Sequence, residues 1–437
     1  MFSLPFLSPH SHVAASAVSE SALVACNIYI SSASSDSVLQ NLLMSAQDHC
    51  QYIREHGSSK GNSDEIPEKL AHSDLDSARH GYGWQSKKIG TGTDNRTMSN
   101  RCRYTKTINP VAIVHAYADV FYDRSSFHLA GRSDCVADAA INLILNSFDK
   151  IDFDCTAQND SAHPFVGLVD HVSVMPLSSI PVSDNASSLT SIISEQDALM
   201  FSRRAAVDAA KAIGDAITNS QQHHANVLFY GLACPNNTPL AKVRREKTSF
   251  FKSGGLRCSN DNNVETKNLK GDCTIGVPPN FVENFNIRMS PNVSISQAKT
   301  LTQFLRGRNI STKGFGIEGV EALTLPYEMI NAAGDKTLVY EVACNLTNPK
   351  NGSVHKIEKS VDVWVAEQVA KSSTKEREKI DTNYFIDKMY RVGTTEAQCI
   401  NSLVMGCGES DSENVRYWEN HDSDVFDKFQ QGLMQKH

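Results

Sequence analysis

The chain lacks the features that mark several protein classes. No apolar run in its 437 residues approaches the roughly 20 residues that a membrane-spanning helix needs. Its eleven cysteines include no C-x-x-C pair and no close spacing typical of a metal site, so no metal is predicted. The 42 basic and 49 acidic residues give a net charge of -7, without the strong positive excess that favours nucleic acid or an anionic membrane. We therefore expect neither a nucleic-acid partner nor a membrane partner.

The N-terminal residues offer little targeting signal. Residues 1–22 are rich in serine and begin with a short apolar stretch, but they carry no basic segment, which makes them a poor secretory signal. We treat them as an N-terminal extension, for which organellar targeting stays open. Cysteines such as Cys26, Cys135 and Cys344 fall in predicted strands or helices, where cysteine acts as a small apolar residue. This usage favours a reducing compartment, and we expect a cytoplasmic protein.

The length and the order of predicted elements indicate more than one globular unit. Residues 23–251 predict a first subdomain, which is interrupted at 55–109 by a polar, Gly- and Ser-rich insertion expected to be disordered. Residues 252–272 are Gly- and Asn-rich and predict a linker, and 273–392 predict a second subdomain. The polar residues 393–437 are expected to form a tail.

Both predicted subdomains show the same order of apolar patterns. The first half predicts a strand at 23–30, a helix from Ser35, consecutive strands at 111–114 and 125–131, a helix from Ser133, a strand at 166–176 and a helix across 194–218. The second half predicts a strand at 281–289, a helix at 296–306, consecutive strands at 317–327 and 337–345, and a helix from Ser353. We therefore predict an α+β or α/β fold of two-layer sandwiches, in which two similar subdomains have split β-α-β, ferredoxin-like character.

The stretch with the clearest chemical content is His163-Pro164-Phe165-Val166-Gly167-Leu168-Val169-Asp170-His171. This order predicts a loop that presents an imidazole where a strand begins. Imidazole suits proton transfer near neutral pH because its unperturbed pKa is about 6.5. The alternative is an ordinary loop histidine whose hydrogen bonds are satisfied locally.

Several motifs resemble the formiminotransferase family, the transferase half of formiminotransferase-cyclodeaminase. The chain is more similar still to the plant-type members that lack the cyclodeaminase half. In order, the matching pieces are residues 23–31, Tyr122-Asp123-Arg124, His163-Pro164-x-x-Gly167-x-x-Asp170-His171, residues 227–231, Val243-Arg244-Arg245, Phe250-Phe251-Lys252, Asn284-Phe285-Asn286 and residues 341–349. Their order and spacing together cover residues 23 to about 390, less the insertion.

The resemblance implies a fold, a reaction and a partner. It implies two sandwiches with a cleft between them, a homodimer, and tetrahydrofolate bound in the cleft as co-substrate. The reaction would transfer a formimino group between N-formiminoglutamate and tetrahydrofolate, with His163 at the position of the proton-transfer histidine. An attacking amine must lose a proton and a departing amine must gain one, which suits an imidazole.

The same resemblance suggests roles for other residues. Asp170 would orient the imidazole or hold a substrate ammonium, or it would be an outward-facing strand charge. The remaining substrate-binding or folate-binding candidates are Arg124, Arg244, Arg245, Asn284, Asn286 and Tyr230. The arginines can clamp carboxylates bidentately or form a solvated basic surface, and the two asparagines can bind a pterin edge or cap a loop. His171 alternates with Asp170, so we expect it on the opposite sheet face in a structural role.

Three departures from the family pattern open alternatives, one of which is that the acidic residue expected in the second strand region aligns only loosely with Asp119. Phe165 stands where the transferases carry an arginine, and residues 263–272 do not match the Gly-Pro-Ser-rich stretch that contacts folate in the family. One alternative is a catalytically impaired protein of the same fold that binds folate or another pterin. The other is a dimeric scaffold that recruits partners through its insertion and its acidic tail.

Overall fold

The computed structural model describes residues 22–32, 36–57, 107–119, 121–153, 163–177, 195–220, 222–248, 250, 269–330, 335–371 and 384–405. The predicted N-terminal extension up to residue 21, most of the 55–109 insertion, most of the 252–272 linker and the tail beyond residue 405 lie outside the described residues.

The first half of the chain, residues 22–277, contains seven described strands and four helices. They are β1 Leu23–Ile30, α1 Asp36–His56, β2 Thr107–Ile108, β3 Val111–Asp119, β4 Arg124–Arg132, α2 Ser133–Lys150, β5 Val169–Pro176, α3 Glu195–Asn219, β6 His224–Gly231, α4 Leu240–Lys247 and β7 Leu269–Val277.

The second half, residues 283–392, repeats the pattern and is followed by a short C-terminal segment. Its elements are β8 Glu283–Met289, α5 Ile295–Leu305, a 3-10 turn Gly307–Asn309, α6 Ile310–Lys313, β9 Val320–Ile330, β10 Lys336–Leu346, α7 Val354–Lys371 and β11 Ile386–Val392. The C-terminal segment, residues 393–405, contains α8 Glu396–Asn401 and β12 Val404–Met405.

The first sheet has the strand order β3-β4-β1-β5-β7-β6. Its first four strands are antiparallel and follow the β-α-β-β-α-β order of a ferredoxin-like fold, and β7 and β6 extend it as parallel strands. Alternate residues of β1 show why the helices lie on one side: Val24, Cys26, Ile28 and Ile30 are fully buried in the core that α1, α2 and α3 cover. The fold class predicted from the sequence is confirmed here.

The second sheet has the order β11-β8-β10-β9, with antiparallel pairing throughout its described strands. It is again β-α-β-β-α-β, and α5 and α7 cover one face, with Trp364 of α7 buried in the core. The start of α5 is fixed by a capping box, in which Ser294 accepts a hydrogen bond from the Gln297 backbone N–H and the Gln297 side chain accepts one from Ser294. Both halves are therefore ferredoxin-like.

The faces that the helices leave uncovered are turned toward each other. Tyr122 of the first half donates a 3.1 Å hydrogen bond to Glu341 of β10. Tyr29 of β1 donates a 3.4 Å hydrogen bond to Asn284 of β8. These contacts define the junction between the two halves, where polar side chains of both sheets meet.

The structure differs from the predicted boundaries at β7. This strand begins at Leu269 and lies between β5 and β6, so the first sheet includes residues that the sequence assigned to the linker and to the second subdomain. Close packing of two backbones explains why the start of β7 contains a glycine. The backbones of Gly167 and Gly271 approach so closely that a Cβ on Gly271 would lie 2.7 Å from the Gly167 Cα, and Gly271 has a φ of +77°.

The predicted tail also differs, because its first residues are ordered and packed. Cys399 and Leu403 are fully buried against the uncovered face of the first sheet, with Ala25 and Ala130 in the same cluster. Strand β12 pairs with β2, whose residues fall at the end of the predicted insertion. The C-terminal segment therefore returns from the second half to the first.

Candidate functional site

His163 lies in the loop that leads into β5, at the junction of the two halves. Its Nδ1 is 2.7 Å from the Pro164 carbonyl oxygen, and both ring nitrogens lie within 2.8 Å of the Arg124 Nη1. The ring meets the edge of Tyr122 at a centroid distance of 5.6 Å, and Phe250 at 6.1 Å. The structure thus places the imidazole where the sequence motif predicts it, at the entry to a strand.

The hydrogen bonds indicate one tautomer of His163. A carbonyl oxygen only accepts, so the Pro164 contact assigns the proton to Nδ1, and Nε2 is then the ring nitrogen that can accept from Arg124, whose Nη1 lies beside both nitrogens. The imidazole is therefore neutral and its lone pair faces a cation. Burial, followed by the charge of Arg124, lowers the pKa of His163 to about 3.

Asp170 is fully buried and lies between two arginines. Its Oδ2 accepts a hydrogen bond from Arg124 and a second one, at 2.8 Å, from Arg244 of α4. Its Oδ1 accepts the Val166 backbone N–H at 2.9 Å. Burial alone would raise the pKa of Asp170, but Arg244 and Arg124 lower it to about 2. The carboxylate is therefore ionised and holds both guanidinium groups beside His163.

A bulge explains how Asp170 reaches this position. Tyr29 of β1 pairs with His171 whereas Ile30 pairs with Val169, so Asp170 is the extra residue on β5. Bulges redirect a side chain and interrupt strict alternation. The alternation from which we expected His171 to face away from Asp170 therefore does not hold.

His171 lies beside the arginine–aspartate cluster. Its ring stacks on Tyr29 at 5.5 Å and its Nε2 is 2.9 Å from the Tyr230 hydroxyl. The guanidinium of Arg124 lies 5.6 Å from the Tyr29 ring centroid, which links this aromatic group to the cluster. Burial, followed by the charge of Arg244, lowers the pKa of His171. The expectation for the orientation of His171 was wrong.

Tyr230 crosses the uncovered face of the first sheet over a glycine. A Cβ on Gly276 would lie 2.4 Å from the Tyr230 ring, so only glycine leaves room for the ring there. Tyr230 is buried, and its hydroxyl reaches His171 of β5 from its own strand β6. The predicted residue Tyr230 therefore belongs to the same group of side chains as His171.

The predicted arginines separate into two environments. Arg124 and Arg244 both contact Asp170, and the Arg244 guanidinium also lies 4.2 Å from the Phe250 ring centroid. Arg245 is exposed on the next position of α4, where a helix turns its side chain about 100° away from that of Arg244. Its binding role stays a prediction.

The predicted asparagines of β8 face the junction. Asn284 accepts from Tyr29 and donates a 2.7 Å hydrogen bond to Asn345 of β10. Asn286 donates to Glu341 at 3.2 Å. Both amides are thus oriented by partners on β10, and their role in binding a pterin stays a prediction.

Sequence reasoning missed Glu341 and the side chains around it. Glu341 is fully buried and accepts hydrogen bonds from Tyr122, Asn286, Arg288 and Tyr390. A glutamate inside an apolar strand run was the available signal, because a buried carboxylate needs partners.

Two kinds of feature are absent from the described residues. Within those ranges no group of three or more His, Cys, Asp or Glu side chains is arranged to hold a metal ion. Likewise, no helix of the described part of the chain has both the length and the apolar character needed to cross a membrane.

Comparison with known proteins places this site within a known family pattern. Residues 87–272 match the family model described as "Formiminotransferase domain, N-terminal subdomain". A "Formiminotransferase cyclodeaminase-like protein" from Arabidopsis thaliana is 24% identical over 266 residues, which are 56% of this chain and 75% of that protein. Both matches concern formiminotransferase domains. They confirm the resemblance drawn from the motifs: this chain is similar to the formiminotransferases, and its residues 87–272, which include His163 and Asp170, correspond to their N-terminal subdomain.

Proposed function

We propose that the protein is a folate-binding transferase of one-carbon metabolism, which moves a formimino group between N-formiminoglutamate and tetrahydrofolate with His163 as the proton-transfer residue. The observation that carries this proposal is the contact of the His163 imidazole with Arg124, which a buried aspartate, Asp170, joins to Arg244 at the junction of the halves. The family match supports the reaction type.

The charges of the cluster suit a substrate that carries carboxylates. Arg124 and Arg244 supply two positive charges and Asp170 one negative charge, so one positive charge remains uncompensated within the cluster. The Nε atoms of both arginines are buried and have no hydrogen-bond partner among the described residues. A glutamate-type carboxylate can accept from such donors through charge-assisted hydrogen bonds.

Substrate binding would also activate the imidazole. The charge of Arg124 holds the pKa of His163 down, after the larger contribution of burial. A carboxylate that binds Arg124 partly neutralises this charge, and the pKa of His163 therefore rises toward the neutral range. The residue would then become basic when the glutamate-type substrate is present, which is the condition under which a proton has to be moved.

The uncovered face of the first sheet has groups that suit tetrahydrofolate as co-substrate. Tyr29 and Tyr230 present aromatic rings, and Asn284 presents an amide from the second half. The Asn27 Oδ1 and the His128 Nε2 are buried without a hydrogen-bond partner among the described residues. Asn27 and His128 lie directly opposite each other on β1 and β4, so a ring edge that donates two hydrogen bonds can satisfy both. Tetrahydrofolate would supply the amine that accepts the formimino group.

The test is turnover of N-formiminoglutamate with tetrahydrofolate, combined with titration of tetrahydrofolate alone. We expect His163→Ala to lose about 100-fold or more in kcat and to keep its affinity for tetrahydrofolate within a few-fold. The matched control is His355→Ala, because His355 is an exposed histidine of α7, and it should retain full activity. Turnover that survives His163→Ala would refute the proposal.

A second candidate is a folate- or pterin-binding protein of the same fold whose catalysis is impaired. Phe165 favours it, because its ring packs against Phe153 at 5.9 Å, where the family pattern has a cation. The low pKa of His163 in the free protein points the same way. Tetrahydrofolate binding without turnover in the wild-type chain identifies this second function. A homodimer and a cytoplasmic location remain expectations alongside both candidates.

A further inference from the structure

Tyr122 contacts both His163 and the second half of the chain. It lies in the turn between β3 and β4, where Asp119 Oδ1 accepts its backbone N–H at 2.9 Å and Asp123 has a φ of 47°. The side chain is only 7% exposed, since it points into the junction. Its ring contacts His163 and its hydroxyl contacts Glu341.

Glu341 is a fixed acceptor for that hydroxyl. Its Oε1 accepts from Arg288 at 2.9 Å and from Tyr390, while Oε2 accepts from Asn286 at 3.2 Å and from Tyr122 at 3.1 Å. A carboxylate with several donors, buried at the centre of a sheet, has little freedom to move. Burial and then the charge of Glu341 raise the pKa of Tyr122, so its hydroxyl stays protonated and remains a donor.

Aromatic contacts also join the turn between β3 and β4 to the second half of the chain. Tyr122 and Phe121 both meet Tyr327 of β9, at centroid distances of 5.4 and 5.3 Å. Tyr327 in turn lies under the Arg288 guanidinium at 3.8 Å. The turn between β3 and β4 is therefore held by the second sheet, whereas the His163 loop belongs to the first.

We infer that Tyr122 is a positioning residue, which holds the His163 ring at its working angle and is itself held by Glu341 across the junction. The inference rests on the proposed function, because it takes His163 to be the proton-transfer residue. It adds that the second half of the chain acts on the reactive imidazole through the Tyr122 hydroxyl, which Glu341 holds.

The chain offers a matched pair of variants. Tyr122→Phe and Tyr390→Phe each remove one hydroxyl that donates to Glu341. The ring at position 122 meets His163, whereas that at position 390 packs against Lys388 and Arg288. A general loosening of the Glu341 network would affect Tyr390→Phe at least as much as Tyr122→Phe, since the Tyr390 hydroxyl also accepts from Arg288, whereas positioning of His163 would affect only Tyr122→Phe.

The experiment uses the full-length chain with isotopically labelled histidine, and the His163 signal is assigned by its loss in His163→Gln. We expect Tyr122→Phe to shift the His163 ring signals and its titration, and Tyr390→Phe to leave both unchanged. In the turnover assay, Tyr122→Phe should lower kcat by about 10- to 100-fold with KM within twofold. Equal responses of the two variants, or an unchanged His163 signal in Tyr122→Phe, would overturn the inference.

The inference can also be tested if Tyr122→Phe does not fold or if the wild-type chain shows no turnover. In the wild-type chain, nuclear Overhauser contacts between the Tyr122 and His163 rings are expected, and their absence overturns the inference even if Tyr122→Phe does not fold. If the wild-type chain does not turn over N-formiminoglutamate, the proposed function fails. The response of the His163 signals still decides whether Tyr122 positions that ring.

Discussion

Replacement of Asp170 by asparagine is expected to destabilise the fold strongly. The carboxylate is 0% exposed and is the shared partner of Arg124 and Arg244, so Asp170→Asn leaves two buried guanidinium groups without their counter-charge. Removal of one partner from a buried ion pair costs about 3–5 kcal/mol. We expect a loss of about that size in the free energy of unfolding, measured by urea denaturation and circular dichroism at pH 7.

The control is a surface pair of the same chemistry. Asp134 and Arg132 are 38% and 45% exposed, so Asp134→Asn should cost less than about 1 kcal/mol. Addition of Arg124→Gln to Asp170→Asn removes one of the two stranded charges and should restore part of the lost stability. If Asp170→Asn behaves like Asp134→Asn, or if the double variant is less stable still, the account of the cluster as a buried charge network is wrong.

The other predictions concern packing and pH. Leu403→Ala should lower the free energy of unfolding by about 2–5 kcal/mol because Leu403 is fully buried, whereas Met200→Ala, at 57% exposure, should change it by less than about 0.5 kcal/mol. Gly276→Ala should cost about 1–3 kcal/mol, since the new methyl group displaces the Tyr230 ring; denaturation of the variant measures this. Burial, and then the neighbouring His115, lowers the pKa of His128, so below about pH 6.5 the unfolded chain binds a proton that the folded chain excludes. Stability should therefore fall on acidification by up to about 1.4 kcal/mol per pH unit from this group, and His128→Gln should show a shallower slope in denaturation measured from pH 7 to pH 5.

The two-layer fold was predictable because its signal is local. The apolar run of β1 has the length of a strand, and its alternate residues Val24, Cys26, Ile28 and Ile30 face the helix-covered core. The same holds for the helix stripe that buries Ile357, Val361 and Trp364 in α7. Patterns of this kind depend only on residues that are close in the sequence, and the structure contains the elements that they predict.

The boundaries were less predictable because they depend on contacts between distant residues. The local sequence predicts Gly271 to be a linker residue, yet it lies in a strand. A glycine is needed there because the backbone of Gly167 approaches it closely. Cys399 lies in a polar stretch, and only the uncovered face of the first sheet explains its burial. Neither partner can be read from the local sequence.

The candidate site was predictable in its residue types and less so in its pairings. The motif gave His163 and Asp170, and the structure brings both into contact with Arg124. The bulge that places Asp170 beside the arginines is a property of pairing between β1 and β5, which no local pattern encodes. Glu341 was missed for a similar reason, since its donors come from both halves of the chain.

The position of β7 within the first sheet has a consequence for synthesis on the ribosome. Domains generally begin to fold from the N-terminal side as the nascent chain emerges. Here β6 pairs with β7, and β7 alone connects it to β5, so a nascent chain that has emerged only to residue 268 holds β6 with no adjacent strand in the sheet. The apolar patch that Leu403 covers stays bare until residue 405 has emerged. The first half of this protein is thus completed only after the second half has been made.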